Sequence, residues 1–263
     1  MKIDELKKKL SYLDVPKPID AGFKPTSFYN LSRMSKDLGN EVYIKREDRI
    51  DDIGSGNKLR KLSYILPLAK NKGADEIITV GSLPSNQSKA VSSLANLCAL
   101  KSHIVFGGDR QVKPTQAQGN YLITSLLAPY ITWFERSSWV KLQNLVKSNV
   151  LSNKNNSFLI PAGASEWPGR LGSLDMAIEL YEQMAEENIP FHKTVIISPA
   201  GSGGTCLGLS LMADLLECPI KVYGICIGET KQTIASRIKR IKDDFYKQTN
   251  LEAPKESGNL ILW

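Results

Sequence analysis

Cysteine and histidine are scarce in this chain. The four cysteines, Cys98, Cys206, Cys218 and Cys226, form no C-x-x-C pair, and His103 and His192 are the only histidines. Two separated histidines and unpaired cysteines give no ligand spacing for zinc. They also argue against a Ser-His-Asp triad. The cysteines sit in apolar surroundings, where a reduced thiol packs as a small hydrophobe. No apolar run approaches the ~20 residues needed to cross a bilayer. The segment Met1 to Leu10 is Lys-rich and amphipathic, without the apolar stretch of a secretory signal. An intracellular, cytoplasmic protein with no membrane partner is expected.

What is present is an ordinary globular composition: 263 residues, 42% hydrophobic and 23% charged. That length allows one large domain or two small ones. The net charge of +7 raises the question of nucleic acid. The basic excess gathers only in Lys7 to Lys9 and in Lys231 to Lys247, where Asp243 and Asp244 interrupt it. No aromatics interleave with the basic residues in an RNA-binding pattern. A solvated helix face explains the run better, and no nucleic-acid partner is expected. A mildly basic protein also suits an anionic cofactor or substrate.

Strand and helix patterns alternate along the chain. Short strands are expected at Glu41 to Lys45, Glu76 to Val80, His103 to Phe106, Tyr130 to Phe134 and Phe158 to Ile160. Helical spacing fills Leu59 to Lys72, Ser85 to Leu100, Asn120 to Leu127 and Ser138 to Leu151. The alternation repeats with helices at Leu171 to Glu187, Gly204 to Leu216 and Thr230 to Tyr246, and strands at Thr194 to Ser198, Lys221 to Ile227 and Leu260 to Trp263. The polar stretch Asn149 to Ser157 reads as a surface loop. Such alternation predicts an α/β fold with largely parallel sheets flanked by helices on both faces. Functional sites in such sheets lie at the carboxyl ends of strands.

Three turns rich in glycine or serine each open a helix. The first is Gly54-Ser55-Gly56-Asn57-Lys58. A lysine at a helix N-terminus meets the positive end of the macrodipole and should lose its proton more easily. A neutral amine is what attacks an aldehyde. The competing reading of Lys58 is one more surface lysine. The second turn is Gly81-Ser82-Leu83-Pro84-Ser85-Asn86-Gln87-Ser88. Ser85 is either a plain N-cap or part of a polar cluster that faces a ligand at a strand end. The third is Ser198-Pro199-Ala200-Gly201-Ser202-Gly203-Gly204-Thr205. Small residues there expose backbone N–H groups at a helix N-terminus, so a monophosphate fits. No Gly-Lys-Ser/Thr follows, and Cys206 stands where a dinucleotide fingerprint needs its third glycine. A tight turn without a ligand is the alternative.

The first two turns, taken together, resemble the 1-aminocyclopropane-1-carboxylate deaminase and D-cysteine desulfhydrase family. These are pyridoxal-phosphate enzymes of the tryptophan-synthase-β fold. The matching residues are Gly56 to Leu62 (G-N-K-x-R-K-L), Ile44 to Asp48 before them, and Ser85-Asn86-Gln87. Ala200 to Thr205, the turn Ile160-Pro161-Ala162-Gly163-Ala164-Ser165 and the pair Gly119-Asn120 extend the likeness, which runs from about Thr26 to about Ile227.

The resemblance implies pyridoxal 5'-phosphate as cofactor, held by Lys58 as a Schiff base, with Lys58 later moving protons. It places Asn86 against the cofactor's phenolic oxygen, with Gln87 beside it. Ser85 falls near the substrate carboxylate or in proton transfer. Gly201, Ser202, Gly203, Gly204 and Thr205 form the phosphate cup. It further implies a small amino-acid substrate, a homodimer, and two lobes with the cofactor between them. The larger lobe is expected at residues 1–52 and 161–263, the smaller at 53–160. The family's longer chains carry a final segment with a group facing the pyridine nitrogen, beyond the point where Trp263 ends this sequence. Pro84, Glu166 and Ser173 also differ from the family's usual residues. The expected activity is that of a lyase or deaminase of the 1-aminocyclopropane-1-carboxylate or D-cysteine type. One alternative is a catalytically impaired relative that binds cofactor or regulates. Another is a β-replacing synthase or dehydratase of the same fold.

Overall fold

A computed structural model of the chain describes residues 2–108, 112–135, 138–152, 156–254 and 258–263. In chain order the elements are α1 (Ile3–Ser11), β1 (Phe28–Asn30), α2 (Ser32–Leu38), β2 (Tyr43–Lys45), α3 (Asn57–Asn71), β3 (Glu76–Gly81), α4 (Asn86–Leu97), β4 (Lys101–Gly107), α5 (Gly119–Leu127) and β5 (Tyr130–Phe134). There follow α6 (Trp139–Ser152), β6 (Ser157–Ile160), α7 (Gly169–Glu186), β7 (Val195–Ala200), α8 (Gly204–Leu215), β8 (Lys221–Cys226), α9 (Lys231–Thr249) and β9 (Leu260–Leu262). The alternation read from the sequence is present. β1 and α2 were not anticipated, and α6 continues through Ser152 into the stretch read as a loop. Asn and Ser are only mildly unfavourable within a helix, so they do not stop one. Residues 153–155 of that stretch lie outside the described residues. Among the described residues no helix is long and apolar enough to cross a membrane.

The chain divides into two compact units. One comprises Met1–Asp14, Gly22–Asn57 and Arg170–Trp263, and the other Val15–Ala21 and Lys58–Gly169. The lobes expected from the sequence break at 52/53 and 160/161. The contacts divide the chain within the first turn of α3 and at the start of α7.

The unit containing Lys58 is built on a four-stranded parallel sheet of order β5-β4-β3-β6. β3 and β4 are almost wholly buried, as central strands of a parallel sheet are. Successive residues of β3 face opposite ways. Ile78 and Val80 pack with Val105 against Leu142 and Val146 of α6. Thr79 faces the other way, toward α4, where Gln87 meets it. The sheet is therefore covered on both faces, and the loops after β3 and β6 emerge together at its carboxyl edge.

The other unit contains the parallel sheet β7-β8-β9 and the antiparallel pair β1-β2. α8 packs on β7 and β8. The buried residues Ser198, Ala200, Val222 and Gly224 alternate with the exposed Val195, Ile197 and Ile225. A Cβ on Gly208 of α8 would lie 2.5 Å from the Ser173 carbonyl oxygen. Only glycine lets α7 and α8 approach this closely. Ile234, Ile238, Ile241 and Phe245 form the buried stripe of α9 at helical spacing. The basic run Lys231 to Lys247 is the solvent side of that helix. The Ile44 to Asp48 segment is an anchor in this unit. Lys45 Nζ donates to the Thr26 carbonyl at 2.9 Å and to Gln183 Oε1 at 2.6 Å, and it pairs with Glu179 of α7.

Candidate functional site

Lys58 lies in the first turn of α3, half-buried, between Asn57 and the fully buried Leu59. Burial pushes the Lys58 amine below the ordinary lysine range, because desolvation penalises the ammonium form. The sequence attributed such a shift to the helix terminus. Burial supplies a second cause in the same direction.

Ser85 is the N-cap of α4, its Oγ accepting the Ser88 N–H at 3.1 Å. A hydroxyl that accepts still has a proton to give, so capping and ligand contact are compatible. Gly81 has to be glycine: a Cβ there would lie 2.0 Å from Ser88 Oγ and 3.0 Å from Ser85 Oγ. The first turn of α4 thus sits hard against the end of β3. Asn86 is exposed, and its Oδ1 accepts from Asn120 Nδ2 at 2.8 Å. Asn120 Nδ2 also donates to the Pro84 carbonyl at 2.8 Å. That gives the Gly119-Asn120 pair a role which the sequence did not state: it fixes the orientation of Asn86.

Gln87 is buried, and its side chain is engaged within its own unit. Nε2 donates to Thr79 Oγ1 at 2.8 Å and to the Pro161 carbonyl at 2.9 Å, while Oε1 accepts the Gly163 N–H at 2.7 Å. Both amide protons are used. Lys61, noted in the sequence only as part of the G-N-K-x-R-K-L motif, secures the same turn: its Nζ donates to the Gly163 carbonyl at 3.0 Å and to Ser165 Oγ at 2.9 Å. Gly163 and Ala164 both have left-handed backbone, with φ of 89° and 48°. For the buried Ala164 that conformation is strained. Gln87 and Lys61 are what hold it there.

The glycine-rich turn leaves β7 and enters α8. The first helical bond runs from the Leu207 N–H to the Gly203 carbonyl at 2.9 Å. The N–H groups of Gly204, Thr205 and Cys206 lie ahead of that bond, the usual arrangement of an anion-binding helix start. Gly203 has φ of 81°, and a Cβ would meet Ile238 Cδ1 at 2.7 Å. The fold itself requires this glycine. Gly201 differs, since a Cβ there would meet nothing nearer than Ile227 Cδ1 at 4.0 Å. Ser202 and Thr205 are half-buried, and Thr205 Oγ1 accepts from Asn57 Nδ2 at 2.5 Å. A phosphate fits these features: open backbone at Gly201, first-turn N–H groups, and two hydroxyls beside them. Among the described residues, no group of three or more His, Cys, Asp or Glu is placed to hold a metal.

Lys58 thus opens one helix with an amine depressed by burial, and the glycine-rich turn opens another with its first N–H groups ahead of the helical bonds. The chain belongs to the pyridoxal-phosphate dependent enzyme family, whose model matches residues 19–260. It is 31% identical over 228 residues to the Thermotoga maritima protein named "Putative 1-aminocyclopropane-1-carboxylate deaminase", covering 85% of this chain and 70% of that protein. It is 27% identical to the D-cysteine desulfhydrase of Serratia proteamaculans over 90% of this chain and 72% of that one. A Pyrococcus abyssi relative is 29% identical, and this chain spans 64% of its length. Among solved structures, an ACC deaminase homologue superposes with a TM-score of 0.82 at 25% identity, over 97% of this chain and 75% of that one.

Proposed function

We propose that this protein is a pyridoxal-phosphate-dependent lyase or deaminase acting on a small amino acid, of the 1-aminocyclopropane-1-carboxylate or D-cysteine type. The observation that carries the reading is Lys58, a lysine at a helix start whose amine is depressed by burial. Membership of the family supports it, as do relatives named for those two activities.

When bound, the cofactor supplies an electron sink for the substrate's α-carbon. The rest falls to the chain. Lys58 Nζ would hold the cofactor and would be the group to take and return a proton; its depressed pKa keeps a larger fraction neutral at a given pH. The N–H groups of Gly204 and Thr205, the backbone at Gly201 and Gly203, and the Ser202 and Thr205 hydroxyls hold the phosphate. Asn86, oriented through Asn120, would offer its Nδ2 to the cofactor's ring oxygen. Ser85 Oγ serves the substrate carboxylate or a proton transfer. Gln87 acts on this site by holding the Pro161 to Ser165 turn.

Two measurements test the reading. Borohydride reduction of cofactor-saturated protein, followed by peptide mapping, should place the label on Lys58. A label on another lysine, or none, overturns the proposal. The purified chain should release ammonia and a 2-oxo acid from 1-aminocyclopropane-1-carboxylate, or those products and sulfide from D-cysteine. Labelled protein that turns over neither compound would keep the cofactor role and discard the substrate class.

A further inference from the structure

Asn57 is the first residue of α3, and Lys58 is the next residue in the chain. Its Nδ2 donates to Thr205 Oγ1 at 2.5 Å, so it ties the start of α3 to the first turn of α8. A hydroxyl has one proton and two lone pairs. Here one lone pair is occupied by the amide, and among the described residues the Thr205 proton is donated to no other group. A hydroxyl that accepts from a fixed amide loses its rotational freedom, and its own O–H is polarised for donation.

We infer that Asn57 is a positioning residue for the cofactor's phosphate: it fixes the Thr205 hydroxyl so that its proton goes to a phosphate oxygen. Asn57 acts through Thr205 and needs no contact with the anion. The inference rests on the phosphate-cup reading of Gly201 to Thr205, and it explains why an amide is suited to position 57. An aspartate would accept the Thr205 proton, and would add negative charge close to the anion.

The test compares pyridoxal 5'-phosphate with pyridoxal, which lacks the phosphate. Dissociation constants for both are measured by absorbance titration on the full chain and on Asn57→Ala, Asn57→Asp, Thr205→Val and Asn57→Ala/Thr205→Val. Asn57→Ala should weaken the phosphorylated cofactor about tenfold, the typical value of one hydrogen bond to a charged group, and leave pyridoxal unchanged. Asn57→Asp should be worse than Asn57→Ala. The double variant should be no weaker than Thr205→Val alone, because both substitutions remove the same donation. Equal weakening of both aldehydes by Asn57→Ala would show a merely structural role and overturn the inference. So would wild-type affinity in Asn57→Ala alongside a weakened Thr205→Val, which leaves the cup itself standing. If Thr205→Val also binds as wild type does, the hydroxyl is no part of the phosphate site and the cup reading fails as well. Should Asn57→Ala not fold, Asn57→Asp and Thr205→Val carry the same comparison.

Discussion

Gln87 Nε2 donates to Thr79 Oγ1 at 2.8 Å, and Thr79 Oγ1 in turn donates to the Ile160 carbonyl at 2.9 Å. This relay joins the first turn of α4 to the middle of β3 and the end of β6. With the bonds to Pro161 and Gly163 it fixes two loops at the sheet's carboxyl edge as one piece. Gln87→Met keeps the length of the side chain but leaves the Gly163 N–H without its partner, while the Pro161 carbonyl keeps the Ala164 N–H at 3.1 Å. A buried polar group left unsatisfied costs about 1–3 kcal/mol. The variant is expected to lose roughly 1–3 kcal/mol in urea unfolding. Thr79→Val should cost less in the Gln87→Met background than in wild type, since the two residues share a bond. A Gln87→Met protein as stable as wild type would show that the relay does not hold the turn.

Lys58 makes a pH-dependent claim. Its folded pKa lies below the unfolded value of about 10.4. Below the folded pKa the buried ammonium carries its full desolvation cost. As pH rises from the folded pKa toward the unfolded one, the cost is relieved, because the unfolded chain then binds more protons than the folded one. Lys58→Met removes the charge and retains the apolar stem. Without cofactor, the variant is expected to melt above wild type at pH 7, with the gap closing toward pH 10. Thermal melts at the two pH values check it. A variant that melts lower at pH 7, or a gap that ignores pH, would show that burial does not depress this amine.

Much of the fold was legible because its elements are long enough to show a period. Buried β-branched runs such as Ile77 to Val80, and the Ile234, Ile238, Ile241 and Phe245 stripe, each declare one kind of element. The elements that escaped notice have no such signal. α2 buries none of its residues, and β1 is three residues long. The three site turns were visible as strings of small and polar residues, but their internal partners were not. Gln87 reaches Gly163 and Lys61 reaches Ser165 across separations of 76 and 104 residues. A lysine in an amphipathic helix is ordinarily read as facing solvent, yet Lys61 is only 1% exposed. Its buried acceptors are supplied by a turn that no local pattern connects to it. Asn57 was noted only as part of a motif, since its partner Thr205 lies 148 residues away.

The two cup glycines separate what the fold requires from what a ligand requires. Gly203 has left-handed backbone and no room for a Cβ beside Ile238. Any side chain there damages the protein whether or not a phosphate binds, so a lost affinity in such a variant says nothing of the ligand. Gly201 carries neither constraint: its φ is not left-handed, and a Cβ would make only an ordinary contact with Ile227. Gly201→Ala is therefore expected to change stability by no more than about 0.5 kcal/mol, as for a substitution away from packed features. If backbone at Gly201 approaches the phosphate, the added methyl holds the anion off, and affinity for pyridoxal 5'-phosphate should fall by about tenfold or more through loss of a charged hydrogen bond. Gly203→Ala should lower both stability and affinity. Calorimetric melts paired with cofactor titrations of the two variants decide the point. A Gly201→Ala protein with wild-type stability and wild-type cofactor affinity would place the phosphate away from this backbone.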